Sequence, residues 1–138
     1  MLREILYVKQ ERKKDRKRWF TDEDWDVYVW VRGDGSFSGF QLCYDKSERQ
    51  RALTWMDGSE PTHAAVDEDE SGLAGEMRAP LLVADGTFDV RGVARRFWQV
   101  SSEIDQQVRN HIIIKLKELM RVKATSGNPG TGRQTSGN

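Results

Sequence analysis

The sequence predicts an α+β fold: an antiparallel β-meander with two C-terminal helices packed on one face. Three observations carry this. Apolar residues alternate with period two in the run Trp25–Val31, "WDVYVWV", and again in "GFQLCY" and "RALTW". Helical periodicity appears only after residue 89, so strands come first and helices afterwards. A chain of 138 residues is long enough for one hydrophobic core and short for two.

Taken in order, "LREILYVKQ" (2–10) alternates loosely and reads as a first strand. The basic run after it has no apolar stripe and is expected as a solvated loop or exposed helical turn. "RWFT" is a short second strand. "TDED" fits a turn or a capping box, but a helix there would have to include the β-branched and aromatic "WDVYVWV", so the strand reading prevails.

Asp34-Gly35 then supplies a two-residue type I′ hairpin turn. That turn fixes a register in which Val31, Val29, Val27 and Trp25 oppose Ser38, Phe40, Leu42 and Tyr44 on one apolar face. Arg32, Trp30, Tyr28 and Asp26 oppose Phe37, Gly39, Gln41 and Cys43 on the other. A four-residue loop "KSER" continues the meander, pairing Tyr44 with Arg51, Leu42 with Leu53 and Phe40 with Trp55. Gln41 then meets Thr54, and Cys43 meets Ala52. The second face thus carries a row of Tyr28, Gln41 and Thr54 bordered by Trp30 and Met56. Gly39 is expected to leave room for the Trp30 ring.

"THAAVD" is a candidate further strand, and "LLVAD" (81–85) reads as a short buried strand after an acidic, glycine-containing loop. Asp89 is the expected N-cap of a helix with the stripe Val90, Val93, Ala94 and Phe97. A second helix is expected from Ser102, where Ser102 and Asp105 match a capping box. Its stripe is Ile104, Val108, Ile112, Leu116 and Leu119, with Ile114 pointing away. The Gly/Ser/Thr-rich remainder has no hydrophobe to anchor it. The division is therefore one domain over 1–122 and a disordered tail over 123–138.

Twenty-two basic and 22 acidic residues cancel, which argues against a surface that grips a polyanion everywhere. The charge is nevertheless segregated. Residues 9–18 hold seven bases and two acids, and residues 57–70 hold six acids and no Lys or Arg. The two segments could pair between copies, giving a homodimer. One cysteine excludes an internal disulfide, and no Cys/His spacing suggests zinc. No apolar leader or membrane-length apolar run is visible, so a soluble, reducing, cytoplasmic setting is expected.

The tripeptide Arg32-Gly33-Asp34 reads as part of a turn rather than an adhesion signal, and Gly33, Gly35 and Gly39 do not fit a phosphate-binding GxGxxG. His63 with Asp67, Glu68 or Asp69 could approach a hard cation, although clustered carboxylates usually form a solvated loop; no metal or cofactor is assigned. His111 flanks the apolar stripe of the last helix as a boundary residue, and Cys43 is expected to be half-buried and structural. No catalytic constellation is legible.

Three classes of function remain. The first is a non-catalytic small-ligand or protein-interaction module using Tyr28, Trp30, Gln41 and Thr54, an aromatic wall with donors and acceptors. The second is single-stranded nucleic-acid binding through Lys13, Lys14, Arg16, Lys17, Arg18 and Trp19, where cations lie beside an aromatic. The third is an enzyme without a recognisable motif.

Across "RWFTDEDWDVYVWV…GFQLCYDK…RALTW…PLLVADGTFD" the chain resembles a family of small, uncharacterised proteobacterial proteins sharing the GFQLCYDK…RALTW block. The likeness spans roughly residues 19–119. It implies a bacterial origin and a single domain, and transfers no activity, cofactor or catalytic residue.

Overall fold

The computed structural model describes residues 1–11, 14–65 and 89–126, with side chains as far as 121. The expected strand at 81–85, the acidic loop before it and the tail beyond 126 lie outside the described residues. The chain forms two compact units, Met1–Phe88 and Asp89–Asn138. Among the described residues the first carries a six-stranded antiparallel sheet and the second two helices, an α+β arrangement with the helices C-terminal.

The strands are β1 (Arg3–Ile5), β2 (Arg16–Thr21), β3 (Asp26–Val31), β4 (Phe37–Tyr44), β5 (Arg51–Met56) and β6 (Thr62–Ala65). They lie side by side in chain order, so the sheet is a meander. Every pairing expected from Tyr44↔Arg51 to Phe40↔Trp55 is present, as are the five from Asp26↔Cys43 to Trp30↔Gly39. Because side chains alternate across a strand, Phe20, Val27, Leu42 and Leu53 fall in one row of the first face. Val29 and Phe40 share the next row, and all six of these residues are completely or almost completely buried.

The turn between β3 and β4 differs from the expected one. Gly35 donates its N–H to Arg32 O (2.9 Å) and Arg32 N–H to Ser36 O (2.8 Å), closing a three-residue loop, Gly33–Asp34–Gly35. Only Gly35 has a positive φ (91°) there, whereas a type I′ turn would force Asp34 into that region as well. The Asp34 carboxylate instead accepts from the Ser36 hydroxyl (2.7 Å) and N–H (2.9 Å), which holds its pKa below the usual carboxylate value. Val31 consequently pairs with Phe37, not Ser38, and a bulge at Ser38 restores Trp30↔Gly39.

Two further expectations are corrected. The first strand stops at Ile5, and Leu6 and Tyr7 are 80% and 92% exposed. Beyond it the Gln10 side chain substitutes for a strand, donating to Lys17 O (2.9 Å) and accepting from Lys17 N–H (2.7 Å). The second strand conversely begins at Arg16, within the basic run expected to be a loop.

In the helical unit, α1 (Val90–Val100) is capped by Asp89, whose carboxylate accepts the Gly92 N–H at 3.0 Å. Val90, Val93 and Phe97 are its buried stripe. Helix α2 (Gln106–Ser126) starts later than expected and runs four residues into the stretch assigned to the tail. Asp105 itself is the cap, accepting from Gln107 N–H at 2.8 Å, while Ser102–Ile104 remain a turn. A carboxylate at this position also complements the helix dipole, which a serine would not. Val108, Ile112 and Leu116 are fully buried, and Ile114 points out to solvent.

The two helices are joined by Arg109. Its guanidinium lies 3.3 Å from the Trp98 ring centroid, and its Nε and Nη2 donate to Ser101 Oγ (2.9 Å) and Trp98 O (2.7 Å). A cation is favourable at the carbonyl-rich end of α1.

Candidate binding face of the sheet

The second face of the sheet is built from cross-strand rows. Ile5, Trp19, Tyr28, Gln41, Thr54 and Thr62 form one row. Lys17, Trp30, Gly39 and Met56 form the next. Tyr28, Trp30, Gln41 and Thr54 are therefore brought together, each half-buried, as sequence reasoning expected. Lys17 and Trp19 join them, which it did not expect.

Trp19 and Tyr28 lie with centroids 6.0 Å apart and planes only 21° off parallel. Tyr28 and Trp30 follow at 6.4 Å and 34°. The Lys17 ammonium sits 5.4 Å from the Tyr28 centroid, within cation–π range. The three rings thus form a continuous aromatic strip with one cation upon it.

Polar groups hold this strip in place. The Asp26 carboxylate accepts from Trp19 Nε1–H (2.9 Å) and the Thr21 hydroxyl (2.8 Å), and pairs with Lys46 Nζ (3.3 Å). This fixes the Trp19 ring and compensates the carboxylate. Beside the strip, Gln41 Nε2 donates to Thr54 Oγ1 (2.9 Å), while Gln41 Oε1 accepts a weak 3.6 Å bond from Cys43 Sγ. Both groups keep further hydrogen-bonding capacity: the second Gln41 amide hydrogen and the Thr54 hydroxyl hydrogen.

Met56, not Trp30, occupies the space left by Gly39. A Cβ at Gly39 would collide with Met56 Sδ and come within 2.6 Å of Trp55 O. The thioether is therefore laid over Gly39 of β4, within the row that holds Trp30.

The basic segment is split by its own strand. Arg18 turns to the first face, where Nε and Nη2 each donate to Glu4 at 2.8 Å in a bidentate pair. Arg16 opposes Val31 and shares that face. Lys14 pairs with Glu11 at 3.2 Å, and Lys13 lies outside the described residues. Of the five residues nominated for nucleic-acid binding that are described, only Lys17 and Trp19 belong to the aromatic strip. The signal was in the sequence: in "RKRWFT" the alternate residues Lys17, Trp19 and Thr21 share a parity.

The remaining candidates resolve differently. Arg32 of the Arg-Gly-Asp tripeptide pairs with Asp57 at 2.5 Å, and Asp34 is engaged by Ser36, so both charges serve the hairpin. His63 opposes Leu53 on the first face and hydrogen-bonds through Nε2 to the Tyr44 hydroxyl at 2.5 Å. Cys43 is buried on the second face, so thiol and imidazole lie on opposite sides of the sheet. Burial, then the Asp26 charge, pushes the Cys43 pKa up to about 12. Asp67, Glu68 and Asp69 lie outside the described residues; among the described residues no cluster of three or more His, Cys, Asp or Glu is placed to hold a metal. No described helix is long and apolar enough to cross a membrane. Arg109, which ties α2 to Trp98 and Ser101, was missed because helical periodicity marks only apolar positions.

No protein-family model, curated protein or solved structure matches this chain.

Proposed function

We propose that this protein is a non-catalytic binding module whose ligand lies on the second face of the sheet. One observation carries the reading: Trp19, Tyr28 and Trp30 form an unbroken, half-buried aromatic strip beside the Gln41–Thr54 polar pair. Aromatic area with a few fixed donors and acceptors is the usual composition of a ligand site. A rigid strand holds each ring, so little ordering entropy opposes binding.

Calorimetric titration of the full chain with indole, adenosine and a deca-proline peptide tests this. At least one probe should bind, and Tyr28→Ala or Gln41→Ala should abolish binding while circular dichroism shows each variant still folded. Failure of all three probes, or unchanged affinity in both variants, would remove the reading.

A further inference from the structure

Resting on that reading of the face, we propose that its occupant is a single-stranded nucleic acid, bound by base stacking without sequence preference. Three features of the same surface carry this. The first is the strip itself. Its ring-to-ring steps of 6.0 and 6.4 Å are nearly twice the roughly 3.4 Å rise of stacked bases. Successive rings therefore suit bases that have been splayed apart, as they are in a single strand and not in a duplex.

The second feature is charge. Arg3, opposite Thr21, shares the face with Lys17, and Lys46 reaches it through Asp26 and Thr21. Among the described strand residues of this face the one carboxylate is Asp26, already engaged by Trp19, Thr21 and Lys46. The acid at the far rim, Asp57, is matched by Arg32. The described strands thus give this face an excess of cations although the chain as a whole is neutral. The Lys17 ammonium lies over the strip itself, where a phosphate linking two stacked nucleotides would pass.

The third feature is the kind of polar group present. Gln41 and Thr54 engage each other and keep about one donor and one acceptor lone pair apiece. That suffices to touch base edges and falls short of reading them, in keeping with a sequence-tolerant stacking platform. Such a platform does not distinguish ribose from deoxyribose.

Fluorescence anisotropy of labelled decauridylate, decathymidylate and a 20-base-pair duplex with the full chain tests the inference. Both single strands should bind alike at 50 mM salt, and the duplex at least tenfold more weakly. Tyr28→Leu and Trp30→Leu retain apolar bulk without a π face, and each should cost about fivefold or more in affinity. Lys17→Ala should weaken both strands equally and lower the slope of log affinity against log salt by about 0.7. Circular dichroism confirms that each variant is folded. Binding of the duplex as tight as that of the single strands, or affinity unchanged in both leucine variants, would overturn the inference. So would the absence of oligonucleotide binding at 100 μM protein. In that last case, retained binding of indole or deca-proline would leave the module reading standing, which separates the two failures.

Discussion

Neighbouring residues on β4 should respond to truncation in sharply different ways. Leu42 is completely buried between Val27 and Leu53, and Leu42→Ala removes three carbons from that row. At roughly 0.8 kcal/mol per methylene-sized group the transfer loss is about 2.4 kcal/mol, and the cavity left behind raises it to about 3–4 kcal/mol. Gln41, one residue earlier, faces the other way and makes one good hydrogen bond, to Thr54 at 2.9 Å, and one weak contact to Cys43. Gln41→Ala should cost about 1 kcal/mol. With a urea m-value of about 1.5–2 kcal/mol/M, the unfolding midpoint should fall by roughly 2 M for Leu42→Ala and roughly 0.5 M for Gln41→Ala. Tryptophan fluorescence reports the transition. Equal midpoint losses would mean that the second face is a second core, and the reasoning about an available surface would be wrong.

Three other outcomes follow from the geometry. Gly39→Ala should cost about 1–3 kcal/mol in the same urea assay, because its Cβ meets the fixed Trp55 carbonyl as well as Met56; a neutral substitution would contradict the close approach. With a pKa near 12 and a buried sulfur, Cys43 should resist a thiol-disulfide reagent at pH 8 in the folded chain and react at once in denaturant; rapid labelling of the native protein would refute this. Burial, reinforced by Lys115 and opposed by Glu118, lowers the His111 pKa, so below about pH 6.5 the unfolded chain holds more protons at this site. Stability should therefore fall as the pH drops through a window opening there and closing below the folded pKa. His111→Gln should flatten that part of the urea-midpoint profile between pH 7.5 and 5.5, and an unchanged slope would contradict it.

The register of β3, β4 and β5 was legible because the expected loop lengths proposed a pairing that gathers Val27, Val29, Phe40, Leu42 and Leu53 on one face, and a one-residue slip would scatter them. The turn was not. A loop one residue longer than expected and a bulge at Ser38 offset each other, leaving the facing pattern from Trp30 onwards unchanged and invisible to periodicity. The candidate face was half legible. Tyr28, Gln41 and Thr54 came from the alternation, whereas Lys17 was hidden in a basic stretch that looked like a solvated loop, and Trp19, on the short second strand, had no register to place it beside Tyr28. The length of the first strand was misjudged because Leu6, Tyr7 and Val8 look like strand residues, yet no sequence pattern shows that Gln10 takes over the pairing with Lys17.

The most direct test of the central claim is an NMR titration of the full chain with decauridylate, following the indole N–H signals of Trp19 and Trp30 and the side-chain amide of Gln41. All three should shift together and saturate at a common affinity, while the methyl signals of Val27, Val29 and Leu42 on the buried face stay in place. Shifts confined to Trp98 or to the helices, with the three reporters unmoved, would contradict the assignment of the second sheet face as the binding surface.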